Sequence, residues 1–447
     1  MKRPLCFVLM PFGQKRDELG QMIDFDAVYE HLIKPAIQKA ELEPLRADEE
    51  RVGGFIHKPM FERLVLCEYA VADLTLANAN VFYELGVRHG VRPWSTVLLF
   101  ARGTKLPFDV APLRAIPYGI RAGRPQALVE VRRNLTKALR EARQAKKDSP
   151  VYTFLESLPA PATEIAREKT DVFRERVEYV EKVKEDLAKA RHKGSAAVRK
   201  YKTKLEPIKD AEAGVVVDLF LSYRSVRDWK GMIDLVARMS RPLAQSTMIQ
   251  EQLGFALNRA GRGDKAEQVL LRLIARKGPS SETCGILGRV YKDRWRRALK
   301  TKTHSAAGFL RKSVNTYLQG FETDWRDAYP GINAVTLMTI ADPNDPRLEE
   351  LIPVVRYAVK RRLNSAKADY WDHATLLELE VLANDREEAE SALSDALAQV
   401  REPFEPETTA GNLKMIRKSR EARGLFVDWA KRIESQLFER AAEAARS

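Results

Sequence analysis

Short runs of consecutive apolar residues recur over the first third of the chain. The clearest runs cover residues 5–10, 70–74, 96–100 and 116–120, and a weaker one covers residues 42–47. Continuous apolar runs are typical of strands that are buried on both faces of a sheet. We therefore read these five segments as strands of one buried sheet.

Segments with helical spacing of apolar positions separate these strands, at residues 25–40, 55–69, 81–90 and 126–147. Strands that alternate with helices predict a parallel sheet covered by helices on both faces. We expect a five-stranded sheet in the flavodoxin-like order. Ligands of such sheets bind beyond the carboxyl ends of the strands. The turn Pro11-Phe12-Gly13 and the loop of residues 73–80 should therefore converge in space.

The pattern is helical from residue 150 onward. Residues 163–192 and 193–213 form two charged helical stretches, and shorter helices follow. We predict these at residues 246–260, 265–276, 281–294, 305–321, 330–340, 348–363, 371–382, 387–400 and 408–438. Small residues such as Gly254 stand where paired helices would cross, and helix pairs of this kind stack into a solenoid. The predicted domains are residues 1–147, a helical linker at 148–227 and residues 228–447.

Composition narrows the functional classes. The 447 residues carry a formal charge of +14 but no basic patch interleaved with aromatic residues, so we do not expect specific nucleic-acid binding. No apolar run is long enough to span a membrane. The three cysteines Cys6, Cys67 and Cys284 are widely spaced in apolar segments. This spacing predicts buried thiols, no metal site and a cytoplasmic location.

The segment from Val71 to Gly86 carries the candidate chemistry. A strand delivers Asp73 to the carboxyl edge of the sheet, and Glu84 follows near the start of the next helix. A carboxylate held there could attack the anomeric carbon of a ribosyl group. Simpler interpretations remain open: Glu84 could favour the helix start or pair with Arg88, and Asn80 could only cap the helix.

The motif Asp-Leu-Thr-x-x-Asn-x-Asn-Val-x-Tyr-Glu-Leu-Gly, with Pro11-Phe12-Gly13 upstream, resembles the nucleoside 2-deoxyribosyltransferase-like and Toll/interleukin-1 receptor-like group of flavodoxin-type domains. The resemblance covers roughly residues 1–145. It implies that Glu84 is the nucleophile or a ribose-contacting residue and that Asp73 binds the nucleoside, so these two are the predicted catalytic residues. The remaining candidate substrate contacts are Pro11, Phe12, Gly13, Thr75, Asn78, Asn80 and Tyr83.

The segment Gly288-Arg289-Val290-Tyr291-Lys292-Asp293, together with Tyr329-Pro330-Gly331-Ile332-Asn333, resembles the TRAF-binding region of apoptosis signal-regulating MAP kinase kinase kinases. The resemblance implies an all-α tetratricopeptide-like solenoid with a regulatory role. Arg289, Lys292 and Asp293 could line a binding surface or only link neighbouring helices. No kinase signature occurs in the sequence, so we do not expect phosphoryl transfer.

Together these resemblances imply an N-glycosidase that cleaves NAD or a related nucleotide, controlled by a helical domain that binds a protein partner. The resemblance implies a bacterial stress or antiphage effector, and self-association is a further expectation because related effectors act as assemblies. We expect no cofactor apart from the nucleotide itself. The alternative is a non-catalytic nucleotide sensor and protein scaffold.

Overall fold

The computed structural model describes residues 3–17, 20–46, 57–92, 94–106, 114–144, 149–154, 167–364, 368–425 and 428–444. The chain divides into two compact units, residues 1–222 and 223–447, and each is described by itself. None of the helices in these described ranges has the length and apolar character needed to cross a bilayer.

The first unit is built on a six-stranded sheet in the order β4-β1-β5-β6-β7-β8, with a separate β2–β3 hairpin beside it. Neighbouring strands from β4 to β7 pair in parallel, and β8 returns antiparallel to β7. The five parallel strands confirm the predicted flavodoxin-like order. The hairpin and β8 were not predicted, because each of their strands is three residues long. The bounds are β1 (Leu5–Leu9), β2 (Gln14–Arg16), β3 (Met22–Asp24), β4 (Glu43–Arg46), β5 (Tyr69–Asp73), β6 (Thr96–Ala101), β7 (Ala115–Arg121) and β8 (Arg124–Gln126).

Helices cover both faces of this sheet, as the strand pattern predicts. Cys6 and Val8 of β1 belong to one core cluster, and the alternate residues Leu5, Phe7 and Leu9 belong to the other. The apolar run of β1 is continuous because successive side chains enter opposite cores. The helices of this unit are α1 (Phe25–Val28), a π-helical segment (Tyr29–Ile33), α2 (Lys34–Lys39), α3 (His57–Leu66), α4 (Ala79–Val91), α5 (Leu128–Glu141), α6 (Pro150–Phe154), α7 (Arg167–His192), α8 (Ser195–Lys202) and α9 (Ala213–Ser225), which ends in the second unit.

Two predicted helices are wrong as single elements. Residues 193–213 form α8 and two 3-10 turns, and Pro207 between those turns has no N–H to continue a helix. Residues 408–438 form two helices, and Gly424 adopts a positive φ of 78° between them. Positions 47, 55–56, 145–147 and 163–166 of other predicted elements lie outside the described residues.

Most helices of the second unit pack as consecutive pairs. The pairs are α12 with α13, α14 with α15, α16 with α17, α18 with α19, and α20 with α21, and the first helix of each pair also contacts the first helix of the next. Contacts between successive pairs make the unit a helical solenoid, and α16 also contacts α20. The bounds are α10 (Trp229–Val236), α11 (Arg241–Ala244), α12 (Thr247–Arg259), α13 (Gly263–Lys277), α14 (Ser281–Lys300), α15 (Ala306–Thr323), α16 (Ala328–Ala341), α17 (Arg347–Leu363), α18 (Tyr370–Ala383), α19 (Arg386–Ala398), α20 (Phe404–Glu421) and α21 (Asp428–Ala444).

Small residues stand at the helix crossings, as predicted. A Cβ added to Gly254 of α12 would approach Leu270 of α13 to 2.7 Å. A Cβ added to Gly288 of α14 would approach the ring of Tyr317 in α15 to the same distance. Real side chains do not pack this closely, so glycine is required for each pair to reach its observed separation.

Candidate functional site

The two loops that were predicted to converge begin at the same edge of the sheet. Strand β1 pairs in parallel with β5, and Leu9 lies opposite Ala72. The Pro11–Gly13 turn follows β1 and the Asp73–Asn80 loop follows β5, so both leave the carboxyl edge side by side. This edge is where a flavodoxin-like sheet can bind a ligand.

Asp73 lies fully inside this edge rather than in an open crevice. Its Oδ1 accepts hydrogen bonds from the N–H of Thr75 at 3.0 Å and from its hydroxyl at 2.5 Å, and its Oδ2 accepts one from the hydroxyl of Tyr118 at 2.8 Å. Burial raises the pKa of Asp73, and these three donors partly offset that effect. Both carboxylate oxygens therefore serve to fix the loop. Asp73 and Thr75 have no exposed surface through which to contact a sugar.

Asn78, not Asn80, caps helix α4. The Asn78 side chain accepts hydrogen bonds from the backbone N–H groups of Asn80 and Val81. Its carbonyl oxygen is thus used in the turn that leads into the helix. Asn80 is exposed in the first turn of α4, which leaves its side chain accessible to a ligand.

Glu84 lies in the second turn of α4, half-buried where this helix packs against α3. Asn80, Glu84 and Arg88 are four residues apart and share one face of the helix. Asn80 is exposed, Glu84 is half-buried and Arg88 is fully buried, so Glu84 lies at the rim of the α3–α4 contact. Burial raises the pKa of Glu84 to about 7, and the nearby charge of Arg63 in α3 opposes that rise.

The two simpler interpretations of Glu84 are wrong. The first turn of α4 contains no acidic residue, so the helix dipole does not account for a glutamate one turn later. The Arg88 guanidinium instead donates to the carbonyls of Leu64, Cys67 and Glu68, which lie at the end of α3 and just after it. Arg88 therefore ties α4 to the end of α3.

Tyr83 extends this rim. Its side chain is 57% exposed, and its ring meets Phe61 of α3 edge-on with centroids 6.5 Å apart. We define the Glu84 site as Asn80, Tyr83 and Glu84 of α4 with Phe61 and Arg63 of α3. It presents a carboxylate, a guanidinium, an amide and an exposed phenol from two adjacent helices.

The Pro11-Phe12-Gly13 turn lies at the neighbouring position of the edge. Pro11 is buried, and the guanidinium of Arg46, at the end of β4, lies 5.1 Å from the centroid of the Phe12 ring. Arg46 also bonds Asp26 at 2.9 Å, and the Gly13 N–H points toward the same carboxylate at 3.4 Å. A phosphate at the Gly13 amide would have to replace Asp26.

Sequence reasoning missed three residues of this edge: Tyr118, Arg46 and Arg63. Each comes from a different element, and Tyr118 is 45 positions from the Asp73 that it contacts. No local spacing could reveal these contacts, because strand pairing and helix packing bring the residues together. In the described parts of the chain, no three side chains of His, Cys, Asp or Glu are grouped as metal ligands.

The motif residues of the second unit link helices to each other. The Lys292 ammonium, fully buried, donates to Asn333 Oδ1 of α16 at 2.8 Å and to Asn412 Oδ1 of α20 at 3.3 Å. Asp293 bonds Arg289 within α14 and accepts from Asn258 of α12. Of the two interpretations left open, the linking of neighbouring helices describes these contacts.

Residues 81–437 match the profile of the MAP3K TRAFs-binding domain family. Mitogen-activated protein kinase kinase kinase 15 of Mus musculus is 27% identical over 224 residues, which is 46% of this chain and 16% of that protein. Mitogen-activated protein kinase kinase kinase nsy-1 of Caenorhabditis elegans is 27% identical over 265 residues, 53% of this chain and 17% of that protein. The match therefore spans less than a fifth of each relative.

Two solved structures are also similar to parts of the chain. A thermophilic TPR protein of Thermus thermophilus, TTC0263, aligns over 45% of this chain and 99% of its own, with a TM-score of 0.35 and 15% identity. The human IFIT1 dimer with PPP-AAAA aligns over 56% of this chain and 58% of its own, with a TM-score of 0.29 and 13% identity. The predicted likeness to a TRAF-binding region is confirmed by the family match. The likeness of the first unit to deoxyribosyltransferase and Toll/interleukin-1 receptor-like domains stays a prediction.

Proposed function

The chain belongs to the MAP3K TRAFs-binding domain family, and from that premise we propose a two-part effector. Its second unit binds a partner protein of the TRAF class. Its first unit cleaves the N-glycosidic bond of NAD or a related nucleotide at the Glu84 site. The observation that carries the catalytic half is a half-buried carboxylate beside the carboxyl edge of the sheet, with its pKa raised to about 7.

The proposed reaction needs few groups. A Glu84 oxygen attacks C1′ of the ribosyl group, and the bond from C1′ to the base nitrogen breaks with its electron pair on the base. A cationic nicotinamide leaves as a neutral molecule, so it needs no proton from the protein. Water then attacks C1′, releases ADP-ribose and a proton, and regenerates the carboxylate. The positive charge of the bound substrate also favours the ionised form of Glu84.

Asn80 and Tyr83 are the contacts we assign to the substrate, since both are exposed beside Glu84. Arg63 is available for a phosphate or for holding the carboxylate. Asp73 and Thr75 are buried and hold the loop in place through their hydrogen bonds. This division of roles changes the earlier prediction, in which Asp73 held the sugar.

Glu84→Gln tests the catalytic half. Purified full chain is incubated with NAD and separately with deoxynucleosides, and free base is measured by chromatography. We expect the variant to stay folded and to lose base release, while Glu130→Gln, an exposed glutamate of α5, keeps it. For the wild type, kcat/KM should rise with pH through about 7 as Glu84 ionises. Equal turnover by wild type and Glu84→Gln would refute the assignment.

A second candidate is a nucleotide-binding sensor without catalysis. The enclosure of Asp73 favours it, because the sugar then loses the charged acceptor that the resemblance implied. Calorimetry that gives stoichiometric NAD binding, with no base after prolonged incubation, would support the sensor. Binding of the full chain to a purified TRAF domain tests the partner half independently. Sedimentation tests the self-association that remains a prediction.

A further inference from the structure

Three exposed arginines lie around two aromatic rings in the second unit. The guanidinium carbons of Arg224 in α9 and Arg259 in α12 are each 5.1 Å from the centroid of the Phe255 ring. Arg227, in the turn before α10, lies 5.6 Å from the centroid of the Phe404 ring in α20. We call these five residues the arginine cluster. They come from three separate stretches of the chain, at residues 224–227, 255–259 and 404, and the stacking of the helices brings these stretches together.

Among the residues that the structure describes, no ion pair neutralises the positive charge of this cluster. In the part of the second unit that the structure describes, no carboxylate forms a salt bridge with Arg224, Arg227 or Arg259. Glu282 acts on Arg224 only at a distance, and Asp293, which acts on Arg259, is already bonded to Arg289 and Asn258. Within the described ranges, most guanidinium donors of the cluster therefore have no anionic acceptor.

The arginines also repel one another. Burial lowers the pKa of Arg259, and the charges of Arg289 and Arg227 lower it further. Like charges placed this close together destabilise the free protein and favour any anion that enters between them. Guanidinium forks bind planar carboxylates in bidentate geometry, so the chemistry matches aspartate and glutamate side chains.

The rings favour a peptide over a nucleic acid. The Phe255 ring is bordered by two guanidiniums and by the edge of Trp229 at 5.6 Å. The Phe404 ring is bordered by Arg227 and by Trp371 at 6.1 Å. Single-stranded nucleic acids gain much of their affinity by stacking bases on free aromatic faces. Here a guanidinium lies over each phenylalanine ring, so a base that stacks on that face would have to displace an arginine.

We propose that the arginine cluster is a docking site for an acidic peptide segment of a partner protein, whose carboxylates bind Arg224, Arg227 and Arg259. The proposal rests on the protein-binding role proposed for the second unit and names the chemistry of the partner. Trp371, 39% exposed beside Phe404, adds an apolar contact at one end of the site.

The test uses the full chain and a short fluorescent peptide of alternating Glu and Leu, with a Gln-for-Glu peptide as its control. Binding is followed by fluorescence anisotropy at low and at raised salt. The variant is Arg224→Gln/Arg227→Gln/Arg259→Gln. The matched control is Arg272→Gln/Arg311→Gln/Arg432→Gln, which removes the same charge from three exposed arginines elsewhere in the unit. Thermal melts establish that both variants are folded.

We expect the cluster variant to bind the Glu peptide about a hundredfold more weakly than wild type, since three charge-assisted contacts are lost. The control variant should stay within about twofold, because distant surface charges contribute little. Replacing the three arginines by lysine should give intermediate binding, since lysine keeps the charge but not the fork.

Equal losses in the two triple variants would overturn the proposal, because only net charge would then matter. Binding of the Gln peptide as tightly as the Glu peptide would also overturn it, as would a single-stranded RNA that displaces the Glu peptide and binds the cluster more tightly. If the Glu peptide does not bind the chain but a TRAF domain does, only the docking site is refuted. If the chain binds the Glu peptide but no TRAF domain, the proposed partner class is refuted instead.

Discussion

Gly288→Ala tests the close helix crossing that the TRAF-binding motif forms. A Cβ at this position would meet Cγ, Cδ1 and Cδ2 of Tyr317 at 2.7, 2.8 and 2.9 Å. Tyr317 has no exposed surface, and its ring packs edge-on against Tyr329 at 6.1 Å. The backbone is also held, because Ser313 of α15 donates a hydrogen bond to the Gly288 carbonyl at 2.9 Å. The added methyl group can be accommodated only if the two helices separate.

The magnitude follows from two opposing effects. Overpacking a dense core costs about 1–3 kcal/mol. Replacing glycine by alanine inside a helix stabilises the folded state by about 0.5–1 kcal/mol. Gly411→Ala in α20 isolates the second effect, since a Cβ there meets nothing within 4 Å. The difference between the two variants is therefore the overpacking cost alone, about 1–3 kcal/mol, or roughly 2–12 °C in Tm for a unit of this size.

Tryptophan fluorescence during thermal unfolding of the full chain is the assay. Five of the six tryptophans lie in residues 223–447, so the signal reports the second unit. We expect Gly411→Ala to melt at or slightly above wild type and Gly288→Ala to melt well below Gly411→Ala. If Gly288→Ala melted at or above the control, the helices could separate at no cost and the close crossing would not be required.

Three further predictions concern buried charges. Burial raises the pKa of Glu84 from 4.5 to about 7, so the folded state binds more protons than the unfolded state between these values. Wild type should therefore lose stability relative to Glu84→Gln as the pH rises from 4.5 to 7. Urea unfolding that shows the same pH dependence of stability for both proteins would contradict this. Burial and the charge of Arg296 lower the pKa of Lys292 from 10.5 to about 7, so the unfolded state binds more protons than the folded state between these values. The stability of wild type relative to Lys292→Met should therefore increase from pH 7 upward. A stability difference that does not change with pH would contradict this. Arg88→Met leaves three carbonyls without their donor and should cost about 3 kcal/mol or more in urea unfolding, while exposed Arg133→Met should change little; equal effects would refute the anchoring role.

The parallel strands of the first unit were predictable because the signal for each strand is local. The residues of β1 alternate between two cores, and this double burial is visible as an unbroken apolar run. The β2–β3 hairpin is exposed or half-buried along most of its length and therefore leaves no such run. Helix bounds in the second unit were largely predictable for the same reason, since each helix buries one periodic face.

The candidate site was predictable only in part. The sequence placed Tyr83 and Glu84 on one helix and Asn80 just before it. It assigned the cap to Asn80, although Asn78 makes the cap hydrogen bonds. Either asparagine suits a cap chemically, and the 3-10 turn before the helix decides between them.

What the sequence by itself determined is the set of elements and the residues that stand at their ends, since periodicity and turn chemistry act over a few positions. Tertiary structure alone decided which charged side chains find hydrogen-bond partners. Tyr118 and Thr75 enclose Asp73, while Lys292 is enclosed by asparagines from two other helices. The arginine cluster arises in the same way. Hydrogen bonding and desolvation depend on which groups meet across the fold, and sheet order and helix stacking bring those groups together from distant parts of the chain.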